Sequence, residues 1–424
     1  MTQEEAIRRE NRQLRAKEVK KMGRQKSFIC IDLKSFYASV ECVERGLDPF
    51  KTNLVVADPT RSQSTICLAI TPAMKKLGVK NRCRIHEIPA GIEYITAMPR
   101  MQLYIDYSAR IYSIYLRYVS KEDIHVYSID ECFMDVTNYL SLYHMTEKEM
   151  AVELMDAVMK ETGITATAGI GTNLYLAKVA MDIVAKHVED HIGILNEISY
   201  RQQLWDHRPL SDFWRIGSRT EKKLAGYGIH TMGDIAYTSV TSEDWLYKMF
   251  GIDAELLIDH AWGLESCDIH DIKNYHTEEH SLSNGQVLMR NYSFEEAAVV
   301  VREMTDVLVL DLVSKGLITG SVTLWIAYDH RYERPSSHGT VRLTSLTNSS
   351  STIMDEVDKL YQKITDRHTG IRRIEICANR VMPEGYLQYD LFTDPEKIEK
   401  EKNLQQAILS VKKKVWKKCD YAGS

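Results

Sequence analysis

Two short runs of β-forming residues, 124–127 and 132–136, meet at a pair of adjacent carboxylates, Asp130 and Glu131. Neighbouring strand residues point to opposite faces, so two acids side by side in an apolar strand context are hard to bury with ordinary partners. Buried charge without compensation is expensive. A cation held by oxygen ligands is the simplest compensation, and Mg²⁺ is the usual choice where phosphates are also ligands. A solvated β-turn carrying two surface acids is the competing reading, and for this dipeptide alone it is the commoner one.

A second acidic strand shifts the balance. Residues 27–33, Ser-Phe-Ile-Cys-Ile-Asp-Leu, form an apolar strand ending near Asp32, and Lys34-Ser35-Phe36-Tyr37-Ala38-Ser39-Val40-Glu41 continues as a helix start. This corner places a carboxylate at a sheet edge, beside backbone N–H groups that can bind phosphate. With Asp32 next to Asp130 and Glu131, three carboxylates can hold two divalent ions about 3.5–4 Å apart, the arrangement used for in-line attack at phosphorus. Without metal, like charges this close raise one another's pKa.

Asp-Leu-Lys-Ser-Phe-Tyr-Ala-Ser-Val-Glu at 32–41, taken with Ser-Ile-Asp-Glu at 128–131, resembles the Y-family, or lesion-bypass, DNA polymerases. The similarity is strongest to the UmuC-like branch, the ImpB/MucB/SamB-type UV-damage repair proteins. The resemblance implies an error-prone translesion DNA polymerase. Its primer 3′-OH attacks a deoxynucleotide by a two-metal mechanism, with Mg²⁺ as the ions and Mn²⁺ as a substitute. It makes Asp32, Asp130 and Glu131 catalytic, and adds the Leu33 carbonyl to the metal ligands. Phe36 and Tyr37 then sit where the incoming sugar lies, and Tyr37 matches the steric gate, an aromatic ring that leaves no room for a ribose 2′-OH. By residue type alone Tyr37 reads equally as an amphipathic core residue.

Further along, residues 54–57 and 65–70 read as short β runs. Pro72 and Gly78 bracket a short helix carrying Lys75 and Lys76, since Pro favours a first turn and Gly the position after a last one. The resemblance assigns 44–97 to a fingers domain and gives Lys75 a contact with the nucleotide phosphates. Pro72 and Lys75 stand where many relatives carry Tyr and Arg. Exposed lysines on a helix are also commonplace. In 100–120, Ile105, Ile111, Ile114, Tyr115 and Tyr118 fall at helical spacing. A helix over 147–162, a small-residue strand over 165–171 and a capped helix from Thr172-Asn173 follow. The run lacks the spacing of a nucleotide-binding phosphate loop. It does match the family's Gly-Ile-(small)-x-Asn-(x3)-Ala-Lys signature, which makes Lys178 a triphosphate ligand; Lys186, two turns on, is a second candidate. The order of elements gives an α+β pattern, a mixed sheet with helices on one face. The resemblance specifies a multidomain right-hand polymerase with a ferredoxin-like palm over 27–43 and 98–194.

Residues 195–265 read as all-helical. Ile216, Gly217 and Thr220 resemble a helix-hairpin-helix turn, which points backbone N–H groups at a DNA phosphate; a glycine-capped turn without a ligand fits the spacing equally well. The resemblance makes this segment the thumb. Polar residues 266–280, with His270, His276 and His280, read as a linker. The β-α-β pattern over 281–385 resembles a little-finger domain, with Arg331, Arg334, Arg342, Arg372 and Arg373 facing the template backbone. Gln388, Leu391 and Phe392 in the 386–424 segment resemble the pentapeptide that binds the sliding clamp, the β subunit of the replicase. A basic tail follows, and residues 1–26 form a charged N-terminal extension.

Composition sets the remaining bounds. A chain of 424 residues exceeds one core. No apolar run approaches a membrane span and no signal peptide precedes the first strand, so a cytoplasmic chain is expected. Eight cysteines lack metal-ligand spacing and read as reduced thiols. The net charge of −5 gives no overall basic footprint, although charge can be segregated. Expected partners are primer-template DNA, a dNTP, the sliding clamp and an SOS accessory protein. Two rivals remain. One is another palm-type nucleotidyl enzyme such as a cyclase; the other is a non-catalytic DNA- and clamp-binding accessory protein with a polymerase fold. The hairpin turn disfavours the first, and the three carboxylates, Tyr37 and Lys178 disfavour the second.

Overall fold

The structure, a computed structural model, describes residues 26–60, 64–275, 280–386, 400 and 402–411. The chain divides into two units, Met1–Tyr275 and His276–Ser424.

In the first unit, β1 (Phe28–Leu33) enters α1 (Phe36–Glu44) through Ser35, held in the left-handed region at φ 50°. Next come β2 (Leu54–Val56), β3 (Ala69–Ile70), α2 (Pro72–Lys76) and β4 (Ile95–Ala97), whose strands form a small sheet in the order β3-β2-β4. The rest of the principal sheet follows: α3 (Met101–Tyr115), β5 (Ile124–Val126), β6 (Glu131–Asp135), α4 (Tyr139–Tyr143), α5 (Glu147–Thr162), β7 (Ala166–Gly171), α6 (Leu174–Asp182) and β8 (Ile192–Leu195). Its order is β5-β6-β1-β7-β8. β1 is central and antiparallel to both β6 and β7.

Both faces of this sheet are covered, not one. Ile29, Ile31 and Leu33 pack with α1, α3 and α5, while Phe28 and Cys30 face Leu174, Ala177 and Met181 of α6. The small residues of β7 explain the second layer. A Cβ at Gly169 would collide with the Ala177 carbonyl, and one at Gly171 with the Ala177 amide. Glycine lets α6 lie almost on the sheet backbone. In α3 the inward positions are Tyr104, Ile111, Ile114 and Tyr115; Ile105 is exposed. The aromatic at 104 outcompetes the aliphatic one position later because it reaches the α1 interface.

Helices α7 (Glu197–Leu204), α8 (Ser218–Ala225), α9 (Met232–Thr241), α10 (Glu243–Phe250) and α11 (Asp253–Trp262) share a core that includes Tyr200, Phe213, Leu224, Ile235 and Leu246 and takes in Tyr175, Leu176 and Val179 of α6. The expected linker is only partly one. Its α12 (Ile269–Asn274) is capped by Asp268 and buries Ile269 against Phe28 and Phe133.

The second unit is β9 (His280–Tyr292), α13 (Phe294–Ser314), β10 (Leu317–Tyr328), β11 (Ser337–Thr347), α14 (Ser350–Ile364) and β12 (Ile371–Pro383). Its antiparallel sheet has the order β11-β10-β12-β9, and α13 and α14 pack on the side where Val322, Leu324, Ile374 and Ile376 point. The sequence pattern misses β9. Only Leu288 of that strand is buried, so no alternation of apolar and polar residues marks it.

Candidate active site

Register brings the acids together. Asp32 on β1 pairs with Glu131 on β6, and the Leu33 N–H donates to the Asp130 carbonyl at 2.9 Å. The Tyr127 and Ser128 amides both donate to the Glu131 carbonyl, closing a tight tip around Asp130. The Ser128 hydroxyl donates to Asp130 Oδ1 at 2.6 Å. The solvated-turn reading fails for Glu131, which is 8% exposed. Burial first, then Asp130 and Glu131, push the Asp32 carboxyl up to about 7. Burial also raises Glu131, against the opposing pull of Lys178.

Lys178 projects from α6 onto the acids. Its Nζ lies 3.0 Å from Glu131 Oε1 and 2.9 Å from Asp182 Oδ2. Burial alone would lower its pKa, but Asp182 and Glu131 hold it above the ordinary lysine value. Asp182, one turn along α6, is a partner that the family motif did not nominate. Nor was Cys30, whose thiol donates to Glu131 Oε1 at 3.3 Å. A charge pair at i and i+4 is visible in the sequence as Lys178 and Asp182; the Cys30 contact requires the strand register.

Two further lysines, Lys34 and Lys75, feel the Asp32 charge. Lys75, on α2, is lowered by burial and feels both Asp32 and Lys186. Lys34 is likewise lowered by burial and by Lys75. Lys186 lies in the short 3₁₀ turn Val184–His187, beyond the end of α6. Lys34 lies within the 32–41 motif, whose resemblance gives it no role. The Ser35 hydroxyl beside it is buried with no hydrogen-bond partner among the described residues.

The two aromatics at the corner separate. Phe36 is 2% exposed and packed in the core, so its ring does not line the site. Tyr37 is half-buried and stacks on Tyr104, with ring centroids 4.4 Å apart. Burial, followed by the Asp130 charge, raises its hydroxyl.

The hairpin turn also forms. Gly217 stands at the start of α8, no side chain caps the first turn, and Ile216 is buried beneath it. Thr220 lies in that turn, half-buried. Arg215 precedes it at φ 69°. Trp214 ties the turn to the acidic tip. Its indole Nε1 donates to the Tyr127 hydroxyl at 3.1 Å, and its ring packs near Phe133 and His260. Asn173, the cap of α6, makes a second tie by donating to the Gly263 carbonyl at 2.9 Å.

In the second unit several nominated arginines are already engaged. Arg331 pairs with Asp329 at 2.7 Å, Arg334 with Asp366 and Arg373 with Glu375, and Arg372 donates to the Leu288 carbonyl. Arg342 is exposed on β11. Gln388, Leu391 and Phe392 lie outside the described residues.

Carboxylates gathered at strand ends of a mixed sheet, a lysine-bearing helix against them and a glycine-started helix beyond match the fold of Y-family polymerases. A solved Y-family DNA polymerase chimera has this fold, with a TM-score of 0.66 at 20% identity, covering 84% of this chain and 99% of its own. Residues 31–182 match the impB/mucB/samB family model, and 279–391 match that family's C-terminal domain. A Bacillus subtilis (strain 168) chain named as a UV-damage repair protein, UvrX, is 30% identical over 376 residues, 88% of each chain. DNA polymerase IV 2 of the same organism is 29% identical, covering 88% of this chain and 89% of its own. DNA polymerase IV of Moorella thermoacetica is 26% identical over 91% of this chain and 92% of its own. The chain belongs to the impB/mucB/samB family of Y-family, translesion-type DNA polymerases.

Proposed function

We propose that this chain extends a primer 3′-OH with deoxynucleotides on damaged template DNA, and that Asp32, Asp130 and Glu131 carry the reaction. The observation that supports this most is the cross-strand pairing of Asp32 with Glu131, with Asp130 on the adjoining tip. Three carboxylates at neighbouring strand ends form a hard-oxygen set suited to Mg²⁺ or Mn²⁺. A carboxyl held near neutrality by burial and like charge is stabilised in its ionised form by a cation. Asp32, the Leu33 carbonyl, Asp130 and Glu131 would hold such ions. Bound there, two divalent ions would activate the primer hydroxyl and offset charge on the triphosphate.

The protein groups divide the remaining work. Lys34 and Lys75 offer positive charge beside Asp32 for the triphosphate, and Lys186, which acts on Lys75, adds to it. Lys178 balances Glu131 and can exchange that partner for a phosphate oxygen, with Asp182 as its second anchor. Tyr37 bars a ribose 2′-OH. The first amides of α8, at Gly217 to Thr220, bind a backbone phosphate without reading sequence. On this reading the palm is 27–43 and 98–194, the fingers 44–97, the thumb 195–265 and the little finger 281–385. Lesion bypass, an SOS role and clamp binding through Gln388, Leu391 and Phe392 belong to the same reading.

The decisive measurement is Mg²⁺-dependent primer extension by the wild type beside Asp130→Ala, on intact and abasic templates. Extension that drops by at least about 10³-fold in the variant is expected if the acids bear the reaction. DNA binding with no extension by the wild type would favour the non-catalytic accessory reading.

A further inference from the structure

We propose that Tyr104, Glu41 and Arg100 form a buried support that fixes the Tyr37 ring and thereby sets how strictly the site rejects ribonucleoside triphosphates. The inference rests on reading Tyr37 as the ring beside the incoming sugar. A ring excludes one hydroxyl only while it cannot swing aside. An isolated half-buried tyrosine is poorly restrained, because rotation about its side-chain bonds costs little where no neighbour fills the space.

Here one face of Tyr37 is covered. Tyr104 lies 4.4 Å away with an interplanar angle of 14°, and is itself 0% exposed. Its position is fixed at the far end of the ring, where the hydroxyl donates to Glu41 Oε1 at 2.8 Å. Glu41 stands one turn after Tyr37 on α1, hence on the same face of that helix. Its side chain is fully buried, and Arg100 grips the carboxylate with two hydrogen bonds, Nε to Oε1 at 2.9 Å and Nη2 to Oε2 at 2.8 Å. Arg45 closes the remaining side. The charge is therefore satisfied, and every bond in the set has a direction.

Such a network is a poor device for stability alone. A well-packed apolar cluster of the same volume is often as stable as a buried ion pair. What the polar set adds is a single permitted geometry. It links α1 to α3 at the level of Tyr37, so the ring, its stacking partner and the helix axis keep one spacing. Tyr104 and Glu41 are both fully buried, so they act as positioning residues.

Single-nucleotide insertion with matched deoxy- and ribonucleotides tests this, reading kcat/KM for each. Tyr104→Leu removes the stacked ring, and Tyr104→Phe keeps the ring while deleting its bond to Glu41. The ribo-to-deoxy efficiency ratio should rise about three- to tenfold in Tyr104→Leu, the factor an aromatic pair contributes, and less in Tyr104→Phe. Deoxynucleotide insertion should stay within about twofold of wild type. In a Tyr37→Ala background, where the ratio is already raised, Tyr104→Leu should add nothing, since the two act as a unit. Tyr104→Phe is nearly isosteric and carries the test if Tyr104→Leu does not fold. A wild-type ratio in the Tyr104 variants, or an equal rise in the Tyr37→Ala background, overturns the support alone. An unchanged ratio in Tyr37→Ala overturns the gate on which it rests, and no insertion by the wild type overturns the polymerase reading itself.

Discussion

At the scale of single residues, Asp32 carries the sharpest electrostatic consequence. Its carboxyl is pushed up to about 7 in the folded chain, from an ordinary value of 3.8. The folded state therefore binds more protons than the unfolded state between those values. Stability from the neutral carboxyl is complete below about pH 4 and lost as the pH rises through about 7. The pH-dependent part is at most about 4 kcal/mol. A divalent ion that binds the charged form should reverse the trend. We expect the metal-free melting temperature to fall between about pH 4 and pH 7, Mg²⁺ to restore it above that range, and Asp32→Asn to reduce both effects. A flat metal-free profile would show that the carboxyl is not perturbed. The three acids were legible in the sequence because charge in apolar strands has few other uses. Cys30 was not, since neither its chemistry nor its spacing points to Glu131; the register of β1 on β6 does, and the packing of α6 turns the sequence-visible Lys178–Asp182 pair onto the acids.

At the scale of elements, the contact of α6 with the sheet rests on glycine. Any side chain at Gly169 meets the backbone of Ala177 and Met181, which cannot move without shifting the helix that carries Lys178. Gly169→Ala should therefore cost about 1–3 kcal/mol, seen as a lower urea midpoint at unchanged slope. An unaltered midpoint would mean that α6 lifts off freely. The sequence displayed the small residues of 165–171 but not what they leave room for. Other elements mark the same boundary. α5 and α6 were legible from their periodicity and caps. β9 was not, since one buried residue gives no period, and α12 was hidden by polar composition although Ile269 anchors it. The Trp214–Tyr127 bond joins two segments that are 87 residues apart, beyond any local pattern.

At the scale of the whole molecule, the division at Tyr275/His276 falls within the stretch whose composition suggested a linker. No helix among the described residues is long and apolar enough to cross a membrane. The clamp-binding proposal also belongs to this scale, because a short motif outside the described residues acts through a partner. Replacing Leu391 and Phe392 together by Ala should weaken binding to the sliding clamp by at least about tenfold, as loss of buried anchors does, while clamp-free primer extension is retained. Unchanged clamp affinity, measured by surface plasmon resonance, would remove the motif from that role.

By itself the sequence determined the chemistry on offer: which strands are apolar, where acids interrupt them, which helices are capped, and the family motifs those residues compose. These are properties of local composition and spacing, and they persist in any fold that keeps the chain's alternation. Only the tertiary structure decided who faces whom. Antiparallel register set Asp32 opposite Glu131, the bare glycine surface let α6 bring Lys178 down onto the acids, and the meeting of α1 with α3 laid Tyr37 on Tyr104. Those pairings are long-range. They are fixed by burial and shape summed over many residues, and no single stretch of sequence contains them.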